Sequence, residues 1–187
     1  LEEQIKRMCL IGIALTSERN LKVLLEKIVH AARSFVGADA GSLYIVHHDR
    51  LSFEVAQNSS LERAGKMEPF KAIQMPLNEK SIAGYVALRG ELLMIGDVYT
   101  LPPTVPYQFN RGFDERTGYR SKSILAIPMR DHEEQIIGVL QLLNKLDGEG
   151  TVQPFSASDR DISYSLASQA AISINNVRLV KELKTTF

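Results

Sequence analysis

Around Gly37 the spacing of apolar side chains changes from helical to extended, and apart from one short segment it returns to helical only after residue 156. Before the change, Leu21, Leu24, Leu25, Ile28, Val29, Ala32 and Phe35 form a wide apolar face behind an Asn20 N-cap and end at Gly37. After it, Leu43 and Ile45 alternate with Ser42 and Tyr44 from Gly41 onward. A polar His47-His48-Asp49-Arg50 turn follows, then Leu51, Phe53 and Val55 alternate with Ser52 and Glu54. A chain that buries a helical stripe, then half-buried strands, then another helix resolves into an antiparallel sheet with its helices gathered mainly on one side.

The remaining segments fill in this plan. Leu1, Ile5, Met8, Gly12 and Leu15 recur at fours and threes, a narrow seam that seeks a partner helix. Residues 58–71 are polar, 72–77 form a short strand interrupted by Pro76, 81–89 a short helix closed by Gly90, and 92–95 a strand. Residues 97–118 hold Pro102, Pro103 and Pro106 among Tyr99, Tyr107, Phe109 and Phe113; a connection this long in a compact domain is a packed, functional lid or disordered, and its aromatics favour the lid. Strands are expected at 123–129 and 135–143 around a polar turn, the second central because it is almost continuously apolar. Ser156 and Asp159 have capping-box spacing ahead of Ile162, Leu166, Ala170, Ile174 and Val177.

The predicted class is therefore α+β: a central antiparallel sheet of about six strands, N- and C-terminal helices packed on one face, and a short helix plus a long lid loop on the other. Residues 1–19 read as a linker and dimerisation helix, 20–177 as the domain, and 178–187 as the start of a signalling helix towards an absent output domain. The start at Leu1 without methionine agrees with a piece of a longer protein.

Of the 187 residues 44% are hydrophobic and 24% charged, with no apolar run long enough to span a bilayer. Lys+Arg 22 against Asp+Glu 22 gives a net charge of +0, which removes the electrostatic reason to expect nucleic acid or an anionic membrane as partner. The single Cys9 excludes an internal disulfide and points to a reducing compartment, the cytoplasm.

Catalytic patterns are absent from the sequence. His30, His47, His48 and His132 have no metal-site spacing and three of them fall in turns; Cys9 lacks a neighbouring base; the glycines form no phosphate cradle. Asp114 and Glu115 are adjacent and read as a solvated loop face. The lid remains, where aromatic rings with Arg111, Arg120 and Thr117 close either over a flat heteroaromatic ligand or over ordinary core, with the helix N-terminus near Ser81 available to an anion.

Four segments, in order, resemble the signature of GAF domains: Gly41-Ser42-Leu43-Tyr44-Ile45, Ser81-Ile82-Ala83-Gly84-Tyr85-Val86-Ala87, Thr117-Gly118-Tyr119-Arg120-Ser121-Lys122-Ser123, and Ile137-Gly138-Val139-Leu140-Gln141-Leu142-Leu143-Asn144-Lys145. The subgroup most similar is that of cyclic-nucleotide phosphodiesterases and adenylyl cyclases, whose motif runs Asn-Lys, a gap, Phe, three residues, Asp-Glu. Asn144, Lys145, Phe155 and Asp159 match it and Arg160 departs from it.

That resemblance implies a GAF-like fold, a ligand site at Ser42, Tyr44, Ile82, Ala83, Tyr85, Asp97, Asn110, Phe113, Thr117 and Gln141, and a Lys145–Asp159 pair that locks the lid. Ala56-Gln57 stands where nucleotide-binding members carry an aromatic-Asp step, and Asn110 occupies the lid position before Arg111, departures that remove a stacking face and an acidic partner. Residues 109–145 also resemble bacterial GAF domains that precede HD-type phosphohydrolase or diguanylate-cyclase outputs.

The expected function is regulatory and not enzymatic. A small ligand, with a cyclic nucleotide as one candidate and no firm cofactor, is sensed by a homodimer joined through terminal helices and signalled to an attached phosphohydrolase, diguanylate-cyclase or kinase-type domain. The competing expectation is a dimerisation and protein-interaction module with no small-molecule ligand.

Overall fold

The computed structural model describes residues 1–186; Phe187, the last residue of the predicted 178–187 segment, lies outside the described residues. The elements run α1 (Glu2–Ser17), α2 (Leu21–Val36), β1 (Ala38–His47), β2 (Arg50–Asn58), α3 (Ser59–Arg63), β3 (Ile73–Pro76), α4 (Ile82–Arg89), β4 (Leu93–Ile95), α5 (Gly112–Thr117), β5 (Ile124–Arg130), β6 (Ile136–Leu146), β7 (Val152–Gln153) and α6 (Ala157–Thr186). The antiparallel sheet has the order β3-β2-β1-β6-β5-β4, with β7 added to β6.

Local chemistry explains the boundaries. Asn20 Oδ1 accepts from Val23 N at 3.1 Å to start α2, and Gly37 ends it at φ +70°, where a side chain would be strained. Ser81 Oγ accepts from Gly84 N at 2.9 Å to start α4. Ser156 and Asp159 form the reciprocal box, Asp159 N donating to Ser156 Oγ at 3.1 Å and Ser156 N to Asp159 Oδ2 at 2.8 Å.

The sheet separates two cores. On one face α1, α2 and α6 bury Leu24, Ile28, Leu166, Ala170 and Ile174 against Leu43, Ile45, Leu125, Ile127, Leu140 and Leu142. On the other, α4 and the lid pack Ile82, Ala83, Val86, Val98 and Tyr107 over Tyr44, Leu51, Ala126 and Val139. A bulge in β2 serves both: Leu43 pairs with Val55 and Tyr44 with Phe53, so Glu54 is skipped, Val55 faces the helices and Phe53 the lid.

Four details refine the sequence reading. The sheet has seven strands, because the two-residue β7 carries no alternation to betray it. β1 starts at Ala38, three residues before Gly41, since Ala38, Asp39 and Ala40 give no apolar rhythm. The polar 58–71 segment holds α3, capped by Asn58 and held down by the buried Leu61. The α1 seam is divided as well: Gly12 and Leu15 pack on the chain's own α6 and α2, while Leu1 and Ile5 stay exposed.

Gly138 brings β6 and β1 together where a Cβ would lie 2.4 Å from Tyr44 O, a backbone atom without freedom to retreat. Gly138→Ala is expected to destabilise by about 2 kcal/mol through overpacking, read as a lower urea midpoint at unchanged slope. Among the described residues no helix is long and apolar enough to cross a membrane.

Candidate functional site

The lid face of the sheet has a row of small and polar side chains under α4 and the 97–118 segment. Pairing sets Ala56 beside Ser42, Ser42 beside Gln141 and Gln141 beside Ala126, one residue from each of four adjacent strands. Alternation along β6 sends Gln141 to the same side as Val139, into the lid-side core. Gln141 is only 7% exposed, yet neither its amide nor the Ser42 hydroxyl makes a hydrogen bond among the described residues. The amide atoms are not fully enclosed, so the Gln141 side chain presents free donors and an acceptor at the bottom of this shelf.

The expected site residues divide into two sets. Ser42, Tyr44 and Gln141 rise from the sheet; Ile82 and Ala83, both buried, and Tyr85 descend from α4. Tyr44 lies 4.8 Å ring to ring from Phe53, and burial pushes its hydroxyl up to about 12. Tyr85 packs against the lid's Tyr107, ring centroids 4.9 Å apart and planes inclined by 60°. The polar atoms of the second set serve the lid's own turns: Asp97 Oδ1 accepts from Tyr99 N, Asn110 Oδ1 from Gly112 N, and the buried Thr117 Oγ1 donates to the carbonyl of Phe113 at 2.7 Å.

The lid is an ordered strap. Gln108 N donates to Lys80 O at 2.9 Å beside α4, and Val98 N to Lys122 O at 3.0 Å at its base. Asp114 is a correction to the solvated-face reading: it is buried and accepts from Tyr99 Oη at 2.6 Å, Ser121 N at 2.8 Å and Ser121 Oγ at 2.9 Å, while Glu115 is exposed. The bond to Asp114, ahead of burial, raises the Tyr99 pKa, and Arg120 and Arg111 lie 3.6 and 4.6 Å from the Tyr99 ring centroid.

Asn144, at the end of β6, clasps the far end of the strap. Its Oδ1 accepts from Lys122 N at 2.7 Å and Ser123 N at 3.2 Å, and its Nδ2 donates to Tyr119 Oη and Arg120 O, both at 2.8 Å. All four capacities of the amide are used, and the backbone takes φ +55°, a conformation asparagine tolerates better than most residues. Tyr119 in turn donates to Asp39 Oδ2 at 2.8 Å; burial first, and this bond second, hold its hydroxyl protonated well above the usual tyrosine range. The other Asp39 oxygen has no hydrogen bond, with Arg63 Nη2 the cation in range at 3.9 Å.

Lys145 Nζ and Asp159 Oδ2 are paired, joining the end of β6 to the first turn of α6. The next residue in the chain from Asn144 thus ties the lid's clasp to the long helix. The roles of Asn144, Asp114 and Tyr119 have no spacing signal, because their partners are 7 to 80 residues away in the chain. The four histidines and Cys9 are exposed, and no metal-holding group of His, Cys, Asp or Glu occurs among the described residues.

Comparison with known proteins agrees with the fold. The dual 3',5'-cyclic-AMP and -GMP phosphodiesterase 11 of Drosophila melanogaster is 30% identical over 178 residues, covering 89% of this chain and 11% of that protein, so the chain spans about a ninth of its relative. Among solved structures, the GAF domain of a phosphoenolpyruvate-protein phosphotransferase from Coxiella burnetii superposes with a TM-score of 0.70 at 20% identity, over 96% of each chain. A GAF domain/HD domain protein from Geobacter sulfurreducens superposes at 0.59 with 17% identity, over 88% of this chain and 98% of that one. The family model described as GAF domain matches residues 20–174, and the chain belongs to the GAF domain family.

Proposed function

We propose that this GAF domain is a regulatory module that holds a small ligand between the Ser42–Gln141 shelf, α4 and the 97–118 lid. Its output passes through α1 and the part of α6 beyond residue 177 to an attached output domain, with no catalysis of its own and in the cytoplasm. The observation that carries the reading is Gln141: a largely buried side chain whose amide donors and acceptor are unused, in a row otherwise made of Ala56, Ser42 and Ala126, suits a flat ligand bearing complementary polar edges. A cyclic nucleotide is the first candidate, because the Drosophila melanogaster relative is named for cyclic AMP and cyclic GMP. In this reading Lys145 and Asp159 couple lid closure to α6 through Asn144.

The second reading, a homodimerisation and protein-interaction module without a ligand, is favoured by Ile5, Leu10 and Ile13 on α1 and Leu179, Val180 and Leu183 on α6, all more than 45% exposed.

Thermal shift and calorimetry with cyclic and linear nucleotides, haem, amino acids and aromatic acids test the first reading. A ligand at a hundredfold its dissociation constant stabilises the native state by about 2.7 kcal/mol. Gln141→Leu is expected to leave the free domain as stable or slightly more so, because an unpartnered amide is replaced by apolar volume, while weakening the ligand about tenfold. No shift with any compound at millimolar concentration would establish the interaction-module reading instead.

A further inference from the structure

We propose a second ligand site on the opposite, helical face of the sheet, in the cleft between the first turn of α2 and the last third of α6, for a small carboxylate bearing an apolar chain. The cleft has a volume of about 540 Å³, and its lining includes Ile45 of the sheet, Leu21, Phe70, and the cations Lys22, Arg178 and Lys181. Its size is within the range of small-molecule sites, roughly 300–1,000 Å³.

Charge decides what fits. Among the described residues no carboxylate lies within ion-pair distance of Lys22, Arg178 or Lys181, and Arg178 is half-buried. The other titratable groups lining the cleft are His47 and Glu54, and Glu54 already accepts from Ser52 Oγ at 2.6 Å. The chain as a whole has a net charge of +0, so this cationic excess is local and not a general bias of the surface.

A guanidinium presents a planar fork that matches a carboxylate, and a partly desolvated one gains more from such a partner than a solvated one. Leu21 and Phe70 offer the apolar tail a surface that a bare anion would leave uncovered. Lys22 belongs to α2 and Arg178 and Lys181 to α6, and beyond Arg178 the residues Leu179 and Val180 are exposed. An occupant therefore bridges the body of the domain to the departing helix, giving a second input to the same output independent of the lid-side shelf.

Calorimetric titration of the 187-residue chain with decanoate, below its micellar concentration, tests the site. One-to-one saturable binding is expected, with acetate and 1-decanol each weaker by about tenfold or more, since one lacks the tail and the other the charge. Arg178→Gln with Lys181→Gln should weaken decanoate by about tenfold. Ala72→Trp, at an exposed cleft position, should block it, and methyl resonances of Ile45 should shift on binding. Gln141→Leu should leave decanoate affinity unchanged, which separates this site from the lid-side one. Absence of saturable binding, equal affinity in the parent and the Arg178/Lys181 variant, equal binding of 1-decanol, or preference for a glutamate-rich peptide over decanoate would each overturn the proposal.

Discussion

Asn144→Ala is expected to destabilise the domain by about 4 kcal/mol, roughly a 10 °C fall in melting temperature for a chain of this size. Alanine leaves Lys122 N and Ser123 N without their acceptor and Arg120 O and Tyr119 Oη without their donor, in a place where the replaced side chain was 2% exposed. It must also hold φ near +55°, which costs a Cβ-bearing residue lacking a polar side chain about 1 kcal/mol. Asn144→Gly separates the two effects, restoring about 1 kcal/mol while the hydrogen bonds stay lost. Hydrogen exchange supplies the functional reading: amides at 121–123 should lose protection while those of β1 keep it, because the clasp opens before the sheet does. Protection lost equally across β1 would show that Asn144 supports the core rather than the strap.

Asp114→Ala should cost about 3 kcal/mol for the same kind of reason, since Tyr99 Oη, Ser121 N and Ser121 Oγ all lose their acceptor inside the lid. Asp114→Asn is the informative companion and should cost only about 1 kcal/mol. Its oxygen can keep the Tyr99 and Ser121 N donors, while its amide nitrogen turns to Ser121 Oγ, which is able to accept. Tyr99 provides a spectroscopic check through tyrosinate absorbance. Its folded pKa is raised, so the stability linked to it is fully present below the ordinary tyrosine value and declines as pH rises through that value towards the folded one. In Asp114→Ala, where the leading cause of the shift is removed, Tyr99 should ionise closer to its ordinary value. Asp114→Asn as damaging as Asp114→Ala would mean that the charge, and not the hydrogen-bond pattern, matters at this position.

These two variants act at different ends of one strap, and both should weaken a lid-side ligand without touching it. The decanoate site on the other face should not respond to either, because no part of the 97–118 segment lines that cleft. In the proposed reading, inputs on opposite faces of one sheet would converge on α6, which at 30 residues is about 45 Å long and projects well beyond its buried portion.

How much of this was legible in the chain depends on the range of the interaction concerned. The helix ends at Asn20, Gly37, Ser81, Gly90 and Ser156 were written locally, because a cap needs only residues three or four apart. The alternation at 43–45 and 51–55 likewise announced two strands, and the almost unbroken apolar run of β6 announced its central place. The row Ala56, Ser42, Gln141, Ala126 was not readable from spacing, since register arises from cross-strand pairing that no single segment contains. The sequence reads Asp114 as solvated because Asp beside Glu in a proline-rich loop has no local reason to be buried; its acceptors are satisfied only once Tyr99 and Ser121 are folded against it. Sequence alone thus determined which elements form, through periodicity and capping that act within a turn or two of chain. Tertiary structure decided which polar groups end up paired and which, like Gln141 and Arg178, are left without a partner, because desolvation and pairing depend on neighbours brought from far along the chain.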